Sequence, residues 1–204
     1  MSKIGLLVEC GRDGLELVLC RRIGELLSQQ QDIELDLDIV PMDNKARLLE
    51  GCGSVVARLL GDGCDRVVIL WDERPAWPKM REPLCWHNDR QQILAELKKA
   101  RVPAGKTHLV CIEREFESWL LFDQAMLSCA LSRPTHPVSV KPPRKPDRID
   151  NPKGAMVALF SKHGAGRYVD TQAARRFAQC LSNLNLLRKC ATFRRFEEKL
   201  LAAN

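Results

Sequence analysis

The sequence predicts an α/β fold, a four-stranded parallel sheet with helices on both faces, continued by a helical C-terminal segment. Three observations carry this. Short apolar runs alternate in order with longer amphipathic ones, strand then helix, four times over. Two of the strand-like runs are apolar almost throughout, as strands covered on both faces are. Three of them end in acids, at Glu9, Asp72 and Glu113, and open α/β sheets place their ligands at the carboxyl ends of their strands.

The first run, Lys3-Ile4-Gly5-Leu6-Leu7-Val8, stops at Glu9, and Gly11 lets the chain turn. Residues 13–29 carry Leu15, Leu17, Val18, Ile23, Leu26 and Leu27 at helical spacing, with Asp13 as the expected cap. Residues 33–40 alternate apolar and acidic, the pattern of a half-exposed strand toward a sheet edge. A helix over 44–60 follows, then a nearly continuous apolar strand over 66–71. Residues 73–83 hold three prolines and form a loop past a strand end. There Arg74, Trp77, Lys79 and Arg81 touch a ligand, or Trp77 and Trp86 pack rigidly; the sequence leaves both open.

A helix over 88–101, a strand over 108–112 and one helix over 116–131 complete the α/β core, residues 1–132. Residues 133–151 lose apolar periodicity and carry the basic run Lys141-Pro142-Pro143-Arg144-Lys145, which reads as a loop or lid. Residues 152–204 turn helical again over 152–163, 171–180 and 192–203, an extension packed on the core. Asn151 caps the first of these and Pro152 opens it.

The chain of 204 residues is 45% hydrophobic with a formal charge of +6, which fits a folded protein able to meet polyanions. Nine cysteines, an odd number lying mostly within helix- and strand-like runs, read as reduced thiols packed as small hydrophobes. Neither they nor the four histidines show zinc-site spacing. No stretch is apolar enough to span a bilayer, and the N-terminus lacks a signal peptide's layout, so the expected setting is cytoplasmic without membrane contact.

Magnesium or manganese prefers hard oxygen ligands, and strand-end acids on one sheet edge can supply them. The candidates are Glu9, Asp72, Glu73, Glu113 and Glu117. Each alone would serve as a helix cap; as a set they point to a metal. A helix beginning near Glu113 would put Glu113 and Glu117 on one face and turn Glu115 toward solvent or a salt bridge. Lys153 sits at a helix start, where the dipole disfavours cations. It either reaches a substrate phosphate or is a solvated surface lysine. Arg194 and Arg195 offer a polyanion surface, or belong to an amphipathic helix with Phe193 and Phe196 in the core.

Val8-Glu9-Cys10-Gly11-Arg12-Asp13 resembles the Val-Glu-Gly-x-x-Glu opening of Toprim-like domains, and residues 67–72 resemble their second acidic strand. Phe116-Glu117-Ser118-Trp119-Leu120-Leu121, Asp150-Asn151-Pro152-Lys153 and Phe193-Arg194-Arg195-Phe196 resemble an uncharacterised bacterial family of the Toprim-like group that includes the OLD-type nucleases. The resemblance implies strand order three-two-one-four. It implies Mg2+- or Mn2+-dependent cleavage of nucleic-acid phosphodiesters, DNA before RNA, in defence against mobile DNA. The implied site residues are Glu9, Asp72, Glu117, Lys153 and Asp13, and Lys141, Arg144, Lys145, Arg74, Lys79, Arg194 and Arg195 would meet the polymer. The sequence departs from the pattern at Cys10, in place of glycine, and at Asp72-Glu73-Arg74, where a second aspartate is expected. The departures keep another role open, a non-catalytic module docking nucleic acid or a partner ATPase.

Overall fold

The computed structural model describes residues 2–74, 86–141, 143 and 145–202. Its four strands are β1 (Ser2–Val8), β2 (Leu35–Pro41), β3 (Arg66–Asp72) and β4 (Thr107–Ile112), all parallel. Helices α1 (Leu15–Gln31), α2 (Lys45–Gly61) and α3 (Trp86–Lys99) make the crossovers. Beyond β4 come α4 (Glu117–Leu120), α5 (Gln124–Leu131), α6 (Pro152–Lys162), α7 (Asp170–Cys180) and α8 (Ala191–Leu201).

The strand order is β2-β1-β3-β4, which corrects the three-two-one-four order implied by the resemblance. The residues explain why. Order three-two-one-four would make β3 an edge strand and bury β2 inside. Yet all but the last residue of β3 is buried, whereas β2 carries Asp36 and Asp38 between half-buried apolar residues. Burying those aspartates in the sheet interior would cost several kcal/mol each. The chain therefore steps outward from β1 to β2, and α2 carries it back so that β3 pairs with the free side of β1.

Because right-handed crossovers in opposite directions lie on opposite faces, the sheet separates two cores. On one face Leu7, Val67, Ile69 and Trp71 meet Leu48, Cys52, Val56 and Leu59 of α2 and Ile93 of α3. Gly53 permits this packing: a Cβ there would stand 2.3 Å from the Glu96 carbonyl oxygen of α3. On the other face Ile4, Leu6, Val8, Val68 and Leu70 meet α1 and share one continuous core with α4 through α8. Arg66, at the start of β3, donates from Nε to the Lys199 carbonyl (3.1 Å) and from Nη2 to that of Leu200 (2.6 Å). It thereby satisfies orphan carbonyls at the end of α8.

Two sequence motifs meet in this second core. Trp119 is fully buried, its rings near Phe116, Phe193 and Phe196, and its indole N–H donates to Thr192 Oγ1 at 2.7 Å. The phenylalanines of Phe193-Arg194-Arg195-Phe196 are thus core residues, the second of the two readings the sequence left open.

Three further expectations are corrected. The single helix over 116–131 is two, because Asp123 stops α4 and caps α5, accepting from the Met126 N–H at 2.9 Å. Gly14, not Asp13, caps α1, and Cys10 packs where a Gly14 Cβ would stand, 2.3 Å from Cys10 Cβ. Cys10, where the resemblance would have glycine, is accommodated by that missing side chain. Cys129 and Cys180 form a disulfide joining α5 to α7, so the thiols are not all reduced; Cys10, Cys20, Cys52, Cys64, Cys111 and Cys190 are free. Among the described residues no helix is long and apolar enough to cross a membrane.

Candidate functional site

The reversal of strand order falls between β1 and β3, and at this switch point an open α/β sheet leaves a crevice beyond its carboxyl edge. The register pairs Val8 with Leu70, so the residues following these strands arrive side by side. Glu9, 8% exposed, accepts the Asp72 backbone N–H on Oε2 at 3.1 Å. The two acids that the sequence placed on one edge are neighbours.

Their environment penalises charge. Burial pushes the Glu9 carboxyl up to about 7; the Lys45 ammonium and the Asp72 N–H oppose this, and Glu16 and Asp89 add to it. Asp72 is held well above the ordinary carboxylate range by burial, then by the charges of Glu9, Glu16 and Glu117. Glu16, in the first turn of α1, is raised chiefly by burial, which the neighbouring Cys10 thiol opposes. Acids whose pKa values are raised together at one sheet edge mark a candidate functional site.

Glu117 opens α4 and is 4% exposed. Burial raises its pKa to about 7 against the opposing charge of Lys153. The Tyr168 hydroxyl donates to Glu117 Oε1 at 3.0 Å. Lys153 stands in the first turn of α6, which Asn151 caps by accepting the Gly154 N–H at 2.7 Å. Its Nζ lies 3.5 Å from Asp170 Oδ2, and its N–H donates to Glu115 Oε2 at 2.9 Å. Burial works against the charge of Lys153, yet Glu117, Asp170, Glu115 and Glu16 hold its pKa above the ordinary lysine value. A cation at the unfavourable end of a helix is thus stabilised by surrounding acids.

Lys45 is the other cation of the site. Its Nζ donates to the carbonyls of Asp72 (2.8 Å) and Glu73 (2.9 Å) and to Asp89 Oδ2 (2.8 Å). All three ammonium protons are committed, so the side chain braces α2, the end of β3 and α3 against one another.

The remaining candidates are not gathered here. Glu113 is exposed in the loop after β4, where Oε1 pairs with Arg195 at 3.3 Å; no helix begins there, so the face expected to join it to Glu117 does not exist. Glu73 accepts the Arg114 N–H on Oε2 at 3.2 Å, while the Arg74 N–H donates to the Arg114 carbonyl, so this pair closes the loops after β3 and β4. Arg194 donates to the Arg188 carbonyl. Lys141 and Lys145 are exposed, and Asp13 is exposed while Glu16, one turn later, reaches the cluster. Trp77, Lys79, Arg81 and Arg144, and the side chain of Trp86, lie outside the described residues.

Sequence reasoning missed Glu16, Lys45, Asp89, Tyr168 and Asp170. The nearest signal was Tyr168, the single tyrosine of the chain, set shortly after Gly164 and Gly166. Charged residues in the first turn of a helix are otherwise too ordinary to mark a site.

A scan against protein-family models gives no match, and searches of curated proteins and of solved structures return none either.

Proposed function

We propose that this chain is a metal-dependent phosphodiester hydrolase, a nuclease of Toprim type with DNA as its favoured polymer. The observation that supports it most is the side-by-side delivery of Glu9 and Asp72 to the switch point. The donors are hard carboxylate oxygens, of the type Mg2+ and Mn2+ take. Among the described residues no three His, Cys, Asp or Glu side chains are gathered closely enough to cage an ion. Magnesium is usually held by one or two carboxylates, with water and substrate phosphate completing its shell, and Glu9 and Asp72 would be that pair.

Glu9 and Asp72 would hold the ion, with Glu117 supporting it. When bound, the metal lowers the pKa of a water and offsets charge on the phosphoryl oxygens. The protein's own groups do the rest. Burial keeps water from screening the acids, so an incoming cation is strongly favoured there. Lys45 fixes the main chain that carries Asp72. Lys153, partly exposed and held charged by four acids, would meet a substrate phosphate. The exposed Lys141 and Lys145 extend this charge along a polymer, which gives salt-sensitive, sequence-independent affinity.

A second reading draws on Arg74 where the family pattern has an acid, and on Lys45, which already balances negative charge beside Glu9. In it the sheet edge docks nucleic acid or a partner ATPase without cutting. Nicking of supercoiled plasmid in Mg2+, Mn2+ or EDTA separates the two. Metal-dependent nicking is expected, with a drop of more than about a hundredfold in the E9Q/D72N double variant. Nicking that survives the double variant or EDTA overturns the hydrolase reading, and retained DNA binding without nicking supports docking.

A further inference from the structure

Tyr168, in the turn between α6 and α7, makes a directional contact to Glu117. Its hydroxyl is 3.0 Å from Glu117 Oε1, and the residue is 5% exposed. The ring is fixed edge-on against Phe160, centroids 5.1 Å apart, and Phe160 packs on Phe177. Gly164 and Gly166, at φ of 61° and 88°, turn the chain from α6 back toward the site, where Tyr168 and then Asp170 enter it.

Lys153 and Tyr168 therefore act differently on the same carboxylate. Lys153 contributes a charge, which does not orient a side chain. Tyr168 contributes a donor on a ring that cannot swing, and that commits Oε1. Oε2 is the oxygen that Tyr168 does not engage.

We propose that Tyr168 is a positioning residue that fixes the rotamer of Glu117, so that its Oε2 serves the site at Glu9 and Asp72. The proposal rests on the metal-dependent reading above. Its test is a double-mutant cycle on Mn2+ binding, followed by electron paramagnetic resonance with the full chain as wild type, Y168F, E117Q and Y168F/E117Q. Phenylalanine removes one oxygen and keeps the ring, so packing persists. The expected result is a loss of about fivefold in Mn2+ affinity for Y168F, and of less than about twofold when the same change is made in E117Q. In plasmid nicking, Y168F should lower kcat with KM for DNA unchanged.

Equal losses in both backgrounds would show that the hydroxyl acts through general packing, and overturn the proposal. So would no loss in either. A wild type that binds no Mn2+ removes the hydrolase reading and this role together, whereas binding without coupling removes the role of Tyr168 alone.

Discussion

Replacing Glu117 by glutamine should make the protein more stable at alkaline pH while impairing the site. Burial moves the Glu117 carboxyl from 4.5 to about 7. Ionising it in the folded chain therefore costs about 3 kcal/mol more than in the unfolded chain. The sign follows from which state holds the proton. Between pH 4.5 and 7 the unfolded chain gives up its proton while the folded chain keeps it, so stability falls across that window and levels off above it. Glutamine cannot ionise and still accepts from Tyr168 through its carbonyl oxygen. One buried amide proton left unpaired would cost about 1 kcal/mol, leaving a gain of about 2 kcal/mol at pH 8. For a chain of this size that is a rise in Tm of roughly 4–8 °C. The assay is thermal unfolding of wild type and E117Q in EDTA at pH 8 and pH 4.5; the variant should be the more stable at the first and, with only the amide cost of about 1 kcal/mol left, slightly the less stable at the second. A variant less stable than wild type at both pH values would refute the claim that Glu117 is kept at a cost in stability.

Two more predictions concern the scaffold. Thr192→Val removes the acceptor of the buried Trp119 indole N–H at almost constant volume, and should cost about 1–3 kcal/mol. Thr192→Ser keeps the oxygen and should lose much less, so equal urea midpoints for the two would disprove the hydrogen bond's contribution. The Cys129–Cys180 bridge joins positions 51 apart, and chain entropy assigns such a loop about 4 kcal/mol. Serine at both positions, or addition of a dithiol, should lower Tm by roughly 10 °C. Melting that ignores both would mean the two sulfurs are not joined in solution.

The places where the residues and the family resemblance disagreed are instructive. Alternating acids in β2 and unbroken apolar residues in β3 pointed to an edge strand and an interior one, and the sheet has them so. The resemblance implied the opposite order, and local burial requirements prevailed. The same residue-level reasoning failed at Glu113, because it assumed a helix that the chain begins only at Glu117. Phe116 and Trp119 are drawn into the core by Phe193 and Phe196 from the far end of the chain, and no pattern around Glu113 records that pull.

By itself the sequence determined the four strands and the helices between them, though not the break at Asp123, since apolar periodicity is a property of near neighbours. It also determined that Glu9 and Asp72 would stand at strand ends. Only the tertiary structure decided where the chain reverses across the sheet, and hence that β1 and β3 are adjacent. It alone selected Glu16, Lys45 and Tyr168 as companions of those acids, and Cys180 as the partner of Cys129. Such choices depend on surfaces that meet only after the sheet is covered on both faces, so each residue's own neighbourhood in the sequence carries no trace of them.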